Sequence, residues 1–130
     1  MILSSSALRA QLTADTLAKK LKYKERIHYM KELYFSRPET IMNIISLQDN
    51  SCNRIFVIGH NPGLTEFGNM LLKEHFTKLP TMGVIAIQLD IENWEDIEEK
   101  SGEVDFFIYP KQFKYYMPKQ IRTTWDQREM

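Results

Sequence analysis

The stretch RIFVIGHNPG, residues 54–63, decides the fold, because it joins the end of an apolar run to the start of a helix. Residues 54–59 form an almost unbroken, β-rich apolar run, typical of a strand buried on both faces in a parallel sheet. His60 follows that run, and Asn61 and Pro62 are good N-cap and first-turn residues. The stretch predicts a central strand over 54–59 and a helix over 64–76.

The remaining pattern alternates between helices and strands. Leucines recur at near-helical spacing behind three serines that can cap a helix, which predicts a helix over 6–20. A second helix is predicted over 38–47, where Pro38 and Glu39 suit the first turn. Strands are predicted over 26–30, 84–91 and 104–110, the last two as a long-looped hairpin. This order predicts an α/β three-layer sandwich with a mixed, mostly parallel sheet.

Composition limits the classes of protein and partner. The 130 residues suffice for one domain, and 43% hydrophobic with 26% charged residues is a globular composition. Seventeen basic and seventeen acidic residues cancel, so we expect neither nucleic-acid nor membrane binding. A single cysteine, Cys52, fits a reducing compartment, and no signal sequence or membrane span is predicted. We therefore expect a cytoplasmic protein, and Cys52 in its polar turn is not expected to be catalytic.

Two candidate residues point to an anion site. In open α/β sheets, ligands bind beyond the carboxyl ends of the strands, where loops lead into helix N-termini, and His60 has that position. Its imidazole can be protonated near neutral pH, and helix amides beside it would suit a phosphoryl group. Arg9 lies near the start of the first predicted helix, where its guanidinium and the helix N-terminus can act on one anion.

Together, two segments resemble the histidine phosphatase superfamily, specifically its short SixA-type phosphohistidine phosphatases. The segment LSSSALRAQLTAD (3–15) is similar to that family's Ser-x-Ala-x-Arg-Ala-x-x-Thr-Ala motif, and VIGHNPGL (57–64) to the segment carrying its second active-site histidine. Weaker matches follow in the expected order at ELYFSRPETIMNII, LPTMGVIAIQLD and FFIYPKQF. The resemblance covers residues 2–113 and implies a phosphoglycerate mutase-like domain over 1–113, with a basic and aromatic C-terminal extension over 114–130.

The resemblance also implies roles for single residues. Arg9 would be a phosphate-binding arginine, and His60 a catalytic histidine that binds and stabilises the transferring phosphoryl group. The family transfers the phosphoryl group to a nucleophilic histidine and then to water, without a metal or cofactor. The expected substrate is a phosphorylated protein or a small phosphorylated compound, and the missing lid insertion favours the protein.

The family's nucleophile is absent from this chain. It belongs to an Arg-His-Gly or Arg-His-Ala motif at the end of the first central strand, about forty residues before the serines, whereas this chain begins with MILSSSALRA. The expected domain is therefore N-terminally truncated and lacks that strand. His28 and His75 do not follow a strand as His60 does, and neither is expected to replace the nucleophile. Glu32 lies where wider relatives place a general acid, but it is not assigned to the catalytic set.

Three functions remain open at this stage. The leading hypothesis is a phosphohistidine phosphatase-like hydrolase that is inactive, or nearly so, without the upstream segment. The second is a pseudoenzyme that binds a phosphoprotein or phosphorylated metabolite and hydrolyses nothing. The third is a homo-oligomer or assembly module that uses the open sheet edge left by the missing strand.

Overall fold

A computed structural model describes residues 1–80 and 82–109, in which helices and strands alternate along the chain. The predicted extension over 114–130 lies outside these residues. Three α-helices, five strands and two single 3₁₀ turns at Lys31–Leu33 and Trp94–Asp96 are found in the described part. In chain order, the main elements are β1 (Ile2–Ser5), α1 (Leu8–Lys20), β2 (His28–Met30), α2 (Pro38–Ser46), β3 (Phe56–Ile58), α3 (Gly63–Leu71), β4 (Val84–Gln88) and β5 (Glu103–Ile108).

The strands form a parallel sheet and an antiparallel hairpin. The sheet has the order β2-β1-β3, and Leu3 of β1 is the register partner of both His28 and Val57. The hairpin joins β4 to β5, with Val84 opposite Ile108 and a bulge after Ala86. The predicted α/β class is therefore confirmed, with its parallel and antiparallel pairings in separate ladders.

The centre of the sheet differs from the prediction. No strand was predicted before residue 26, but β1 is the middle strand of the sheet, and all four of its residues are buried. β3 was predicted to be central and buried on both faces, yet among the described residues it pairs with β1 alone and its own residues are half-buried. The serines do not cap α1 either, since the N-cap position is Ala7, which makes no side-chain bond. Because β1 pairs with β2 and β3, Ser4 and Ser5 are buried strand residues.

Helices cover both faces of this sheet. Alternation along β1 turns Leu3 to one face and Ile2 to the other. On the Leu3 side lies the main core, which α2 and α3 complete with Ile41, Ile45 and Phe67. Ile2 is buried outside that cluster, and α1 packs against β1 with its buried Ala10 and Ala14. Because both residues are small, the helix can approach the sheet closely. Of the helices in residues 1–80 and 82–109, none is long and apolar enough to cross a bilayer.

The third helix is shorter than predicted. A helix over 64–76 was expected, but α3 ends at Leu71. The Asn69 side chain accepts a hydrogen bond from the Phe76 N–H and donates one to the Phe76 carbonyl, both at 2.8 Å. This pair of bonds turns the chain back, and the Phe76 ring then packs over Gly68, where a Cβ would lie 2.8 Å from it. The side chain of Asn69 thus replaces the helical hydrogen bonds that local propensity would favour.

The free edges of β3 and β4 have no pairing partner in the described part of the chain. The Phe56 N–H donates to the Met1 carbonyl at 2.9 Å, so Phe56 and Ile58 bond towards β1 and the polar backbone groups of Val57 point the opposite way. Within residues 1–80 and 82–109, β4 likewise pairs with β5 alone. Val57 and Ile87 nevertheless pack against the same core. The sheet and the hairpin therefore pack against one core, and each has a strand, β3 or β4, with a free edge.

The start of α3 is packed against the chain segment that precedes α2. A Cβ built on Gly63 would lie only 2.3 Å from the Ser36 carbonyl oxygen, so only glycine permits this approach. Gly59 lies in the same loop, but a Cβ there would find its nearest atoms, in Leu64 and Leu33, at 3.5 and 3.6 Å. The contact at Gly63 therefore fixes where residues 33–36 run relative to the loop that carries His60.

We expect Gly63→Ala to lower the free energy of unfolding by about 1–3 kcal/mol, because backbone must move to admit the methyl group. Gly59→Ala is the matched control and should change it by less than about 0.5 kcal/mol, since its contacts are ordinary. Urea denaturation followed by circular dichroism measures both. Equal effects of the two substitutions would contradict a tight contact at Gly63.

Candidate functional site

Two loops meet at the end of the parallel sheet where its strands have their carboxyl ends. This end is called the carboxyl edge, as distinct from the open lateral edges of β3 and β4. β1 leads through Ser6 and Ala7 into α1, and β3 leads through Gly59 to His60 and then into α3. Since β1 and β3 are parallel neighbours with Ser4 opposite Ile58, both loops leave the same edge. This edge is where ligands bind in open α/β sheets. The structure thus brings the Arg9 and His60 segments to one edge.

His60 is held by a buried serine that sequence reasoning did not assign. The His60 Nε2 atom lies 2.8 Å from Ser5 Oγ, and Ser5 is fully buried. The same Oγ accepts the Ala7 N–H at 3.2 Å. Ser5 can still either donate its own proton to Nε2 or accept one from it, so the bond forms with a neutral or a charged ring. The bond fixes the ring orientation, and Nδ1 has no hydrogen-bond partner among the described residues.

The loop after His60 is fixed by Asn61. The predicted N-cap position shifts by one residue, because α3 begins at Gly63 with Pro62 as its N-cap. Asn61 Oδ1 still accepts from the Thr65 N–H at 3.2 Å and from Thr65 Oγ1 at 2.8 Å, while Nδ2 donates to the Leu79 carbonyl at 2.9 Å. The Leu64 N–H donates to the His60 carbonyl at 3.0 Å. Two first-turn amides that were predicted to face an anion are therefore already bonded within the chain.

Arg9 is the predicted cationic residue of the candidate site. It is the second residue of α1 and is exposed to solvent. The ion pair found in the described part of the chain joins Lys73 to Glu103 and does not involve Arg9. Its guanidinium is therefore free of carboxylate partners there, and it can bind an anion through two parallel N–H bonds.

The other candidates from the sequence lie apart from this pair or are exposed. His28 begins β2, at the opposite end of that strand from the site, and His75 follows the far end of α3. Glu32 is exposed in the 3₁₀ turn two residues before Tyr34. Cys52 Sγ donates to the Arg54 carbonyl at 2.9 Å. Neither His28 nor His75 is thus brought into the loops that hold His60.

Two aromatic residues border the imidazole. The ring centroid of Tyr34 lies 5.1 Å from that of His60, and the Phe35 centroid lies 6.4 Å from it. Sequence reasoning passed over both. No periodic signal marks them, because both residues lie in a turn and not in a helix or strand.

The described part of the chain has no cluster of side chains suited to binding a metal ion. No group of three histidine, cysteine, aspartate or glutamate side chains is close enough to hold a metal ion there. At the carboxyl edge the imidazole of His60 meets the buried hydroxyl of Ser5, and Arg9 belongs to the helix that begins beside them. This set is suited to binding an oxyanion.

Comparisons with solved structures find the same fold. No protein-family model matches the sequence, and no curated protein matches it significantly. The SixA phosphohistidine phosphatase from Nakamurella multipartitia superposes with a TM-score of 0.66 at 17% identity, over 84% of this chain and 69% of that one. A protein histidine phosphatase SixA complexed with tungstate gives 0.64 at 18% identity, over 86% and 69%.

A third structure agrees with the first two. The SixA phosphohistidine phosphatase from Agrobacterium tumefaciens gives a TM-score of 0.61 at 22% identity, over 85% of this chain and 67% of that one. The predicted fold type is confirmed by these superpositions. The chain therefore has the phosphoglycerate mutase-like α/β fold of the SixA phosphohistidine phosphatases.

Proposed function

We propose that this chain is a SixA-type member of the histidine phosphatase superfamily, and that His60 and Arg9 bind the phosphoryl group of a phosphorylated protein or small compound. The observation that carries the proposal is the 2.8 Å bond from the buried Ser5 to His60 at the carboxyl edge of the sheet. A polar bond of this kind, made by a fully buried hydroxyl to a half-buried ring, orients the ring for a partner outside the core.

The two groups have complementary tasks. The Arg9 guanidinium neutralises two phosphoryl oxygens, and the His60 ring can donate a proton from Nδ1 to a third oxygen while Nε2 stays on Ser5. Both interactions strengthen as negative charge builds on the oxygens during transfer, which is the condition for catalysis rather than simple binding. No step requires a metal or cofactor. The site borders solvent and can therefore admit a bulky phosphoprotein, while the zero net charge disfavours a nucleic acid or an anionic membrane as the ligand.

Hydrolysis needs a nucleophile that these two residues do not supply. In a two-step reaction, a histidine nitrogen bonds to phosphorus as the bond to the leaving group breaks, and water then takes the phosphoryl group from that histidine. His75 follows the end of α3, a nine-residue helix about 13 Å long that begins at the site. We therefore propose that the 130-residue chain is inactive or nearly so, and that an upstream strand supplies the nucleophile. The open edges of β3 and β4 support such a strand.

We expect His60→Ala and Arg9→Ala each to weaken binding of inorganic phosphate and of tungstate by about 10-fold or more, since each removes a charge-assisted bond. Ser5→Ala should weaken it by about 2- to 10-fold through loss of ring orientation. His75→Ala and Arg26→Ala are the matched controls and should bind as the unchanged chain does. Isothermal titration calorimetry measures all five. Equal affinities throughout, or no binding at all, would contradict the proposed site.

We expect the 130-residue chain to release no phosphate from a phosphohistidine peptide or p-nitrophenyl phosphate above background. A protein extended with its natural upstream coding sequence should be active, and His60→Ala in that protein should abolish activity. An extended protein that binds phosphate but hydrolyses nothing would favour the pseudoenzyme. Activity of the short chain that disappears with His60→Ala would mean that the nucleophile has been assigned wrongly.

Self-association is a second candidate function, favoured by the unpaired backbone of Val57 and by apolar side chains exposed on the hairpin. The hairpin residues are Val84, Val104, Phe106 and Ile108, each more than 40% exposed. Open edges of this kind pair readily with another strand.

If the edge mediates association, sedimentation velocity should show concentration-dependent dimers whether or not phosphate is present. Val57→Pro should abolish them, because it removes an N–H that points away from β1. Phe56→Pro is the matched control: it removes the bond to the Met1 carbonyl and should instead reduce stability. A monomer at all concentrations would exclude this function.

A further inference from the structure

Tyr34 and Phe35 are held in place by the chain on both sides of them. Leu33, directly before them, is almost fully buried, and the Tyr34 N–H donates to the Lys31 carbonyl at 3.0 Å. Ser36, directly after them, presses its carbonyl against Gly63 at the start of α3. The segment is therefore anchored at both ends on either side of the His60 loop, and the two aromatic side chains occupy a defined position.

This placement exposes much apolar surface beside the site. Phe35 is 81% exposed and Tyr34 43% exposed, and their ring centroids lie 4.3 Å apart in an edge-to-face arrangement. Phe35 also has a φ of 89°, a left-handed value that bulky residues rarely adopt. Neither packing of the core nor local backbone preference accounts for a phenylalanine here. A substrate that covers the ring would account for it.

We infer that Tyr34 and Phe35 form a ring-binding wall beside His60, which selects phosphoryl groups carried on a planar ring over those carried on an aliphatic oxygen. The inference rests on the proposed phosphoryl site. An imidazole or phenyl ring attached to the phosphorus would extend from His60 towards the two aromatics, which already contact the His60 ring at centroid distances of 5.1 and 6.4 Å. Aromatic rings attract one another over centroid distances of roughly 4.5–7 Å.

The selectivity follows from how much of the Phe35 ring each carrier of the phosphoryl group covers on binding. A planar ring covers the exposed face of Phe35 and gains aromatic contacts, whereas a methyl or serine-like carrier leaves that face in water. Neither residue supplies a charge or proton to the phosphoryl oxygens. The wall therefore changes the preference among carriers and leaves the affinity for the phosphoryl group itself unchanged.

Two phosphonates that cannot be hydrolysed separate the preference for the carrier from the affinity for the phosphoryl group in the 130-residue chain. Phenylphosphonate and methylphosphonate carry the same anion on a ring and on a methyl group. We expect the chain to bind phenylphosphonate about 2- to 10-fold more tightly than methylphosphonate in isothermal titration calorimetry. Phe35→Ala and Tyr34→Ala should reduce that ratio towards one without changing the methylphosphonate affinity, whereas Tyr34→Phe should retain it. Phe106→Ala, at an exposed aromatic of the hairpin, is the control and should leave the ratio unchanged.

A structural role for Phe35 is separated from ring binding by Phe35→Gly. Glycine adopts a φ of 89° without strain, so this variant should unfold at the same or a higher urea concentration while losing the preference for the ring. A clear loss of stability with an unchanged ratio would overturn the inference. Tight binding of methylphosphonate with a ratio of one in the unchanged chain would also overturn it and leave the phosphoryl site intact. Failure of both phosphonates to bind would instead contradict the proposed function.

Discussion

The complete burial of β1 is the constraint on which the rest of the structure depends. Ile2, Leu3, Ser4 and Ser5 are all buried to within about a hundredth of their surface, so each backbone polar group of this strand needs a protein partner. β2 and β3 supply those partners from the two sides, in parallel register. The buried hydroxyls also have hydrogen-bond partners. Ser4 Oγ donates to the Ser5 carbonyl, and Ser5 Oγ accepts from the Ala7 N–H and is hydrogen-bonded to His60 Nε2. The strand order follows from this requirement.

The site is a consequence of the same strand. Ser5 is the last residue of β1, and its side chain is the point at which the core contacts His60 at the carboxyl edge. The chain then enters α1, and Arg9 emerges in the first turn of that helix. Asn61 ties the neighbouring loop to Thr65 and Leu79, so the imidazole is oriented from beneath by Ser5 and its loop is fixed from the side. The imidazole is therefore already positioned before any ligand arrives, and little ordering of this ring would remain to be done on binding.

Local signals in the sequence were sufficient for some elements and insufficient for others. The helix at Pro38–Ser46 and the place of His60 after a strand follow from caps and apolar runs, which act over a few residues. β1 has four residues, half of them serines, and so it shows neither a long apolar run nor a clear alternation. The end of α3 depends on a bond between Asn69 and Phe76, and the position of Tyr34 depends on Gly63. These are contacts between segments, which periodicity in one segment does not encode.

The attachment of the hairpin leads us to expect two levels of stability in the molecule. In the part of the chain that the structure describes, β4 and β5 share no ladder with the parallel sheet, and their backbone connection to α3 lies at one end. There, the Gly102 N–H donates to the Leu71 carbonyl at 2.8 Å, and the Lys73 N–H donates to the Gly102 carbonyl at 3.0 Å. Amide hydrogens of the hairpin can consequently exchange with solvent after a local opening at this junction, whereas those of β1 wait for the sheet itself to unfold. We therefore expect the hairpin to open before the sheet does, although Ile87 and Val57 pack against the same core.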